Sequence, residues 1–248
     1  MSDFIASQDR GLLEQHGLAS FDALWALKLE AVDEPNTERG GWSSVYRLDL
    51  GESAFYLKRQ SNHLTRSLLH PFGEPTFARE FRNIQRYAAL GIPALQAAFF
   101  AERKLPGEYR AVLLTRALDG WQDLDHWLSI WATLERSLRV GILQACGELA
   151  RRLHESGQIH GCFYPKHIFL HEQYGSFTAQ LIDLEKTRPL LLGRRDRIKD
   201  IEPLFRRAAS HWGDEELQIF LQCYLGRDVS MQDWLHDLSQ RRQYKATR

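Results

Sequence analysis

The 248-residue chain has few cysteines and no long apolar run. Its three cysteines, Cys146, Cys162 and Cys223, are odd in number and form no Cys-x-x-Cys pair. A disulfide framework or a zinc site is therefore not expected, and a reducing cytoplasm fits this usage. No run of about 18 apolar residues occurs, so we expect no segment that spans a bilayer. The first ten residues are acidic and polar, which predicts the absence of a secretory signal.

The chain also lacks a net charge, with 32 Lys plus Arg against 32 Asp plus Glu. This balance argues against nucleic-acid binding by bulk charge, although a local basic patch remains open. The hydrophobic fraction of 44% suffices for one sizeable core or for two packed lobes. Charged and apolar residues are too well mixed for a disordered protein.

Apolar periodicity predicts a strand-rich first half and a helix-rich second half. The first half combines a helix in the first 38 residues, a hairpin, a longer helix ended by Gly91 and Pro93, and a strand. These elements cover residues 21–29, 45–50 with 54–58, 76–90 and 110–115. The second half combines two helices, a pair of short strands and a helical remainder. These cover residues 124–128, 138–157, 167–170 with 179–182, and about 200 onward.

Three features of the first half are typical of nucleotide binding. Gly40 and Gly41, followed by Ser43 and Ser44, precede the hairpin, where glycine amides and serine hydroxyls can approach phosphate oxygens. Lys58 ends the returning strand, as does the kinase lysine that reaches the α- and β-phosphates. On the next helix, Glu80 borders the buried side and is a candidate to orient that lysine. Each feature alone has a simpler interpretation. The glycines are then a plain turn, the lysine is solvated, and the glutamate lies on the surface.

The second half contains a loop, a strand, a turn and a second strand that closes on Asp183. This order is that of a kinase catalytic loop followed by its magnesium-binding aspartate. Alone, Asp183 is equally compatible with a turn cap. Together, the motifs predict an α+β, protein-kinase-like, two-lobed fold, with a small β-rich N-lobe that carries one key helix and a mostly helical C-lobe. The predicted domains are an extension packing on the N-lobe (1–38), the N-lobe (39–116) and the C-lobe (117–248).

From about residue 21 to residue 207 the chain resembles the lipopolysaccharide kinases of Gram-negative bacteria, a family of inner-core heptose and Kdo kinases and InaA-type proteins. The segments that carry the resemblance lie at each motif. They are Gly40-Gly41-Trp42-Ser43, Tyr56-Leu57-Lys58, Ala78-Arg79-Glu80-Phe81, Leu153-His154, Ile159-His160, Phe163-Tyr164, His167, Leu181-Ile182-Asp183-Leu184 and Lys199-Asp200-Ile201.

The resemblance implies ATP with Mg²⁺ as the donor and a sugar hydroxyl of the lipopolysaccharide inner core as the acceptor. It places His167 where protein kinases have their second metal ligand, beside Asp183. It gives His160 and Asp200 the role of supporting the catalytic loop. It also implies a cytoplasmic protein that contacts lipopolysaccharide, or its precursor, peripherally at the inner membrane face. Neither the acceptor hydroxyl nor the oligomeric state is predicted.

One departure from the family pattern concerns catalysis. Where the family has His-Arg-Asp, the chain reads His160-Gly161-Cys162, so the aspartate that accepts the acceptor proton is replaced by Cys162. Loss of a general base costs about 100- to 10,000-fold in rate. Phosphoryl transfer nevertheless depends mainly on positioning and charge neutralisation. We therefore consider a weak kinase, with Glu185 as a possible replacement base, and a pseudokinase that binds nucleotide or acts as a scaffold. Phosphorylation of small metabolites or aminoglycosides is a third interpretation.

The segment between Asp183 and Asp200 is rich in arginine. Arg194, Arg195 and Arg197 are candidates to pair with the phosphates of an anionic glycolipid, or to hold the chain at a negative membrane face. A solvated charged loop is the simpler interpretation. Trp121 and Trp127 either line a sugar site or fill the core.

Overall fold

The computed structural model describes residues 3–37, 40–66, 70–226 and 230–246, with side chains described up to residue 241. The chain forms two units, one of Met1–Ala88 with Leu95–Asp119 and one of Ala89–Ala94 with Gly120–Arg248. We call them the strand-rich unit and the helical unit. The predicted domain boundaries at residues 38/39 and 116/117 stay predictions.

The strand-rich unit is built on a five-stranded antiparallel sheet in the order β1-β6-β7-β3-β2. The predicted hairpin is formed by β2 and β3, and both strands are longer than predicted. Successive side chains along each strand alternate between the two faces of the sheet. A short two-stranded pair, β4 and β5, leads into the helix α3. The elements are β1 (Phe4–Ile5), α1 (Ser7–Gln15), α2 (Phe21–Ala26), β2 (Trp42–Leu50), β3 (Ser53–Ser61), β4 (Leu64–Thr65), β5 (Glu74–Pro75), α3 (Thr76–Leu90), β6 (Ala97–Leu105) and β7 (Glu108–Arg116).

Within the first 38 residues, the described part, residues 3–37, forms two helices rather than the single one predicted. The missed helix α1 has only nine residues and contains Gly11, so its apolar periodicity is weak. Helix α2 begins at the Ser20 cap, whose side chain accepts a hydrogen bond from the Ala23 amide. It ends at Ala26 rather than at residue 29, because Leu27 takes an extended conformation.

A buried arginine fixes that helix end to the sheet. The Arg59 guanidinium, on β3, donates to the carbonyls of Trp25 and Leu27 at 2.7 Å each and lies 4.0 Å above the Tyr46 ring. The core beneath combines α1, α2 and the sheet. It contains Leu13, Leu18, Phe21, Leu24, Leu48, Leu50, Phe55, Leu57, Ala98, Phe99, Ala101, Val112 and Leu114.

Strand β6 was not predicted from the sequence. Its first half, from Ala97 to Ala101, is buried at every position and therefore shows no alternation. A continuous apolar run of this length cannot be told from a buried helical segment by periodicity. Pairing with β1 on one side and β7 on the other resolves the ambiguity in favour of a strand.

The helical unit packs its helices around a small sheet of order β11-β10-β8. The long helix α5 contacts α7 and β11. The last long helical region starts earlier than predicted, at Arg194 rather than near residue 200. The elements are β8 (Gln122–Asp123), α4 (Leu124–Ser129), α5 (Arg136–Glu155), β9 (Gln158–Ile159), β10 (Ile168–Gln173), β11 (Ser176–Leu181), β12 (Arg188–Pro189), α6 (Arg194–Ala208), α7 (Asp214–Leu225) and α8 (Met231–Ala246). Across the described ranges, no helix is both long and apolar enough to cross a membrane.

Replacing Arg59 by methionine should destabilise the strand-rich unit by roughly 2–4 kcal/mol, because two buried carbonyls lose a charged donor. Denaturant unfolding followed by tryptophan fluorescence measures this change. The matched control is Arg47→Met, which removes an exposed ion pair with Asp49 and Asp119. Exposed pairs contribute about 0–1 kcal/mol. Equal losses for the two variants would show that Arg59 does not hold the N-terminal segment.

Candidate active site

Lys58 and Glu80 form an ion pair inside the strand-rich unit, with the Lys58 Nζ 2.7 Å from Glu80 Oε1. The Glu80 side chain is 3% exposed and that of Lys58 is 17% exposed. The Phe77 ring lies 5.9 Å from the ammonium and covers the pair. Lys58 lies within β3, which continues to Ser61, rather than at the strand end expected from the sequence. An ammonium on a strand, oriented by a buried carboxylate on the following helix, is the arrangement that kinases use to hold nucleotide phosphates.

Gln60, which the sequence analysis did not single out, sets the position of α3 against β3. Its fully buried side chain accepts from the Phe77 amide at 2.7 Å and donates to the His63 carbonyl at 2.6 Å. The first turn of α3 is therefore bound to the strand that carries Lys58. No spacing rule reveals this contact, because a glutamine in a strand is usually a surface residue.

The glycine-rich turn has a packing requirement of its own. Gly40 has a positive φ of 77°. A Cβ on Gly41 would lie 2.2 Å from the Ser61 carbonyl oxygen, so only glycine fits where β2 begins beside the end of β3. Ser43 exchanges backbone hydrogen bonds with Asn36. The Ser44 hydroxyl is buried and finds no partner among the described residues.

In the helical unit, the buried carboxylate of Asp200 holds the loop that follows α5. It accepts from the backbone amides of His160 at 2.8 Å and Gly161 at 2.7 Å. His154 Nε2 lies 3.2 Å from the same carboxylate, and His154 Nδ1 lies 2.6 Å from the Tyr224 hydroxyl. With Nε2 donating to Asp200, Nδ1 accepts from Tyr224, so one tautomer satisfies both contacts.

Gly161 is required by the same loop. Its φ is +79°, and an added Cβ would lie 2.7 Å from the Lys186 carbonyl oxygen. The arginine found here in the family pattern has no room in this conformation.

His167 and Asp183 meet with His167 Nε2 3.3 Å from Asp183 Oδ2. His167 Nδ1 lies 2.8 Å from the Cys162 carbonyl oxygen and must donate to it, which leaves the Nε2 lone pair facing the carboxylate. Burial lowers the pKa of His167, against the raising effect of the Asp183 charge. The Nε2 lone pair of His167 and the Asp183 carboxylate are thus two acceptors close enough to bind the same cation.

The chemistry of this pair fits a nucleotide-bound metal better than a closed metal site. Among the described residues, no group of three or more His, Cys, Asp or Glu side chains is arranged to hold an ion. Mg²⁺ in phosphate chemistry uses one or two protein ligands and completes its shell with phosphate and water. His160 lies behind the pair, with Nε2 2.9 Å from the Ile182 carbonyl, and so helps to set the chain just before Asp183.

Cys162 is 3% exposed, and it is not isolated from charge. Electrostatic attraction by Cys162 is the largest cause of a raised pKa for Lys186, burial acts against it, and a hydrogen bond between the Lys186 side chain and the sulfur raises the pKa further. Cys162 and Lys186 belong to different loops, so no spacing in the sequence indicates that they are neighbours. The position of the missing aspartate is thus filled by a thiol–amine pair.

Asp125 on α4 is a second residue that sequence analysis missed. Partial burial, followed by the nearby Asp123 charge, raises its pKa, while Arg207, Lys166 and His167 act in the opposite direction. Helix α4 packs on the turn Pro165–His167, which explains this proximity. No pattern in the sequence marks Asp125, since it lies about 40 residues before the turn.

The three arginines predicted to contact the acceptor have different surroundings in the structure. Arg194 pairs with Asp237 at 2.7 Å, and Arg197 hydrogen-bonds Tyr224. Arg195 lies exposed in the first turn of α6. The segment from Arg194 to Lys199 is helical, so the alternative of a solvated loop is wrong for these residues.

The two tryptophans are half-buried rather than core residues. Trp121 stacks on His171 with ring centroids 5.1 Å apart, and Trp127 meets the edge of Phe177 at 5.2 Å. Trp121 also lines a cavity of about 250 Å³ together with Glu148 and Arg152.

The Lys58–Glu80 and His167–Asp183 pairs are typical of the kinase class of proteins. Comparison with known proteins specifies the family. The chain belongs to the lipopolysaccharide kinase (Kdo/WaaP) family, whose model matches residues 22–224. It is 33% identical over 179 residues to protein InaA of Escherichia coli (strain K12), covering 71% of this chain and 82% of InaA. A solved structure titled WaaP in complex with acyl carrier protein matches with a TM-score of 0.73 at 19% identity, covering 98% of this chain and 99% of that one. The predicted family and fold class are confirmed.

Asp200→Asn should loosen the loop after α5, because an amide has one accepting oxygen for the two backbone donors. We expect a loss of roughly 1–3 kcal/mol in local stability and faster amide hydrogen exchange at His160 and Gly161. Glu215→Gln, which removes an exposed ion pair with Arg136, is the control. Unchanged exchange at both amides in Asp200→Asn would contradict the role assigned to this carboxylate.

Proposed function

We propose that this protein transfers the γ-phosphoryl group of ATP to a sugar hydroxyl, of heptose type, in the lipopolysaccharide inner core. The observation that carries the proposal is the buried Lys58–Glu80 ion pair, which follows a glycine-rich turn at the spacing of a kinase. Family membership supports the class of acceptor. We place the reaction on the cytoplasmic side, peripheral to the inner membrane, where a core precursor would be accessible.

The strand-rich unit carries the phosphate-binding groups of this proposal. The amides of Gly40 and Gly41, with the hydroxyl of Ser43, hold phosphate oxygens, whereas the Ser44 hydroxyl predicted to join them is buried. Lys58, oriented by Glu80, neutralises the α- and β-phosphates. Because Glu80 is buried and paired, the ammonium is ordered before the nucleotide arrives, which reduces the entropy lost on binding.

Asp183 and His167 would hold Mg²⁺, which when bound supplies charge neutralisation at the β- and γ-phosphates. His167 is fixed for this role by its hydrogen bond to the Cys162 carbonyl. His160 and Asp200 act as positioning residues, since one holds the Ile182 carbonyl and the other holds the loop amides.

Asp183→Asn should lower phosphoryl transfer roughly 100- to 1,000-fold, because the carboxylate that neutralises phosphate charge is lost. Incubation of purified protein with labelled ATP, Mg²⁺ and dephosphorylated core glycolipid measures the rate. Glu215→Gln, at an exposed carboxylate of the same unit, is the matched control, and Glu185→Gln tests the candidate replacement base. A near-wild-type rate for Asp183→Asn defeats the assignment, and a comparable loss in Glu185→Gln identifies Glu185 as a base.

A pseudokinase is the second candidate, and the substitution of Cys162 for the catalytic aspartate favours it. A thiol must lose its own proton before it can accept one from the acceptor hydroxyl, whereas a carboxylate is already ionised at neutral pH. In this alternative the protein binds nucleotide and supports lipopolysaccharide assembly without transferring phosphate.

Cys162→Asp separates the two candidates. A weakened kinase should gain at least tenfold in transfer rate, because a general base contributes about 100-fold or more and Lys186 remains beside the new carboxylate. Cys162→Ser is the control, since it keeps the size without adding charge. Tight ATP binding with no transfer in either form supports the pseudokinase. Asp125→Asn, measured in the same assay, reports whether that carboxylate already serves as the base.

A further inference from the structure

Two consecutive leucines are displayed to solvent immediately before α6. Leu191 is 76% exposed and Leu192 is 59% exposed. Single exposed apolar residues are ordinary, but burying a leucine side chain stabilises by about 1.5–3 kcal/mol. Burial of both leucine side chains in an apolar environment would therefore be strongly favourable in free energy.

The turn that carries these two leucines is held in place by specific hydrogen bonds. The buried Asp196 carboxylate accepts from the amides of Leu191 at 3.0 Å and Leu192 at 3.1 Å. Arg188 pairs with the same carboxylate at 3.0 Å, and the Leu190 amide donates to the Gly157 carbonyl at 2.8 Å. Backbone contacts thus fix the turn and leave both leucine side chains pointing away from the unit.

A basic groove adjoins the turn. It has a volume of about 480 Å³ between α6 and α8 and is lined by Arg194, Arg195, Ile198, Asp237, Gln240 and Arg241. Asp237 neutralises only Arg194. Within the described ranges, Arg195 and Arg241 form no ion pair, and the Arg241 Nε is buried without a hydrogen-bond partner.

We propose that residues 190–195 and this groove dock on an anionic lipid bilayer. Leu191 and Leu192 insert among the headgroups, and Arg195 and Arg241 bind lipid phosphates through their planar donor sets. A stable protein interface buries about 800 Å² on each partner, far more than two leucines provide. Apolar insertion flanked by cations is instead the combination that gives reversible membrane binding.

This inference extends the membrane location given under the proposed function, and it is tested with lipid alone. Vesicle binding therefore succeeds or fails independently of phosphoryl transfer. The side chains involved are also distinct from Lys58, Asp183 and the other proposed catalytic groups.

The experiment is co-sedimentation of the full chain with vesicles of phosphatidylcholine alone or mixed with phosphatidylglycerol. Binding is expected only with the anionic vesicles and should weaken as salt screens the arginines. Binding to neither vesicle, or equal binding to both, overturns the proposal. Analytical ultracentrifugation at the same concentrations tests the competing occupant: a self-association that the leucine substitutions abolish assigns the surface to a second copy of the chain.

The decisive variants leave the turn's hydrogen bonds intact, because Asp196 binds backbone amides. Leu191→Asp with Leu192→Asp should weaken binding at least about tenfold, and Arg195→Gln about fivefold. The matched controls are Tyr174→Asp, at another exposed apolar side chain of the same unit, and Arg136→Gln, at another exposed arginine. If the controls lose as much vesicle binding as the turn variants do, the proposed docking surface is wrong.

Discussion

The helical unit depends on one buried carboxylate. Asp200 is enclosed by two backbone amides and a histidine, and these donors replace the water that its charge would otherwise require. With His160 and Gly161 fixed, the Cys162 carbonyl is in place to orient His167, and His167 then meets Asp183. The proposed metal ligands are thus positioned by a chain of contacts that starts in α6.

Cys162, which the resemblance places at the position of a catalytic aspartate, lies in a loop that has specific contacts of its own. Gly161 allows the backbone to pass against the Lys186 carbonyl, and Lys186 in turn hydrogen-bonds the cysteine sulfur. The loop is therefore a consistent local structure rather than a kinase loop with one side chain lost. Restoring a carboxylate would add a base beside an ammonium, a pairing that the present backbone already accommodates.

Much of the fold could be predicted, because amphipathic helices and alternating strands leave a periodic record in the sequence. The hairpin, α3 and α5 were predicted in this way. Strand β6 was missed because complete burial removes alternation, and α1 because it is short and contains Gly11. Motif order indicated Lys58, Glu80 and Asp183. Gln60, Asp125 and Lys186 could not be found, because their roles come from contacts between distant segments.

The backbone of Asp183 carries a consequence for how this family can vary. Its φ of 58° and ψ of 63° lie in the left-handed region, which aspartate, asparagine and glycine tolerate better than other residues. Asparagine and glycine codons each differ from an aspartate codon by a single base. Charge at this position can therefore be lost by substitution without steric penalty, and a chain with either residue would keep the loop conformation while losing the proposed metal ligand.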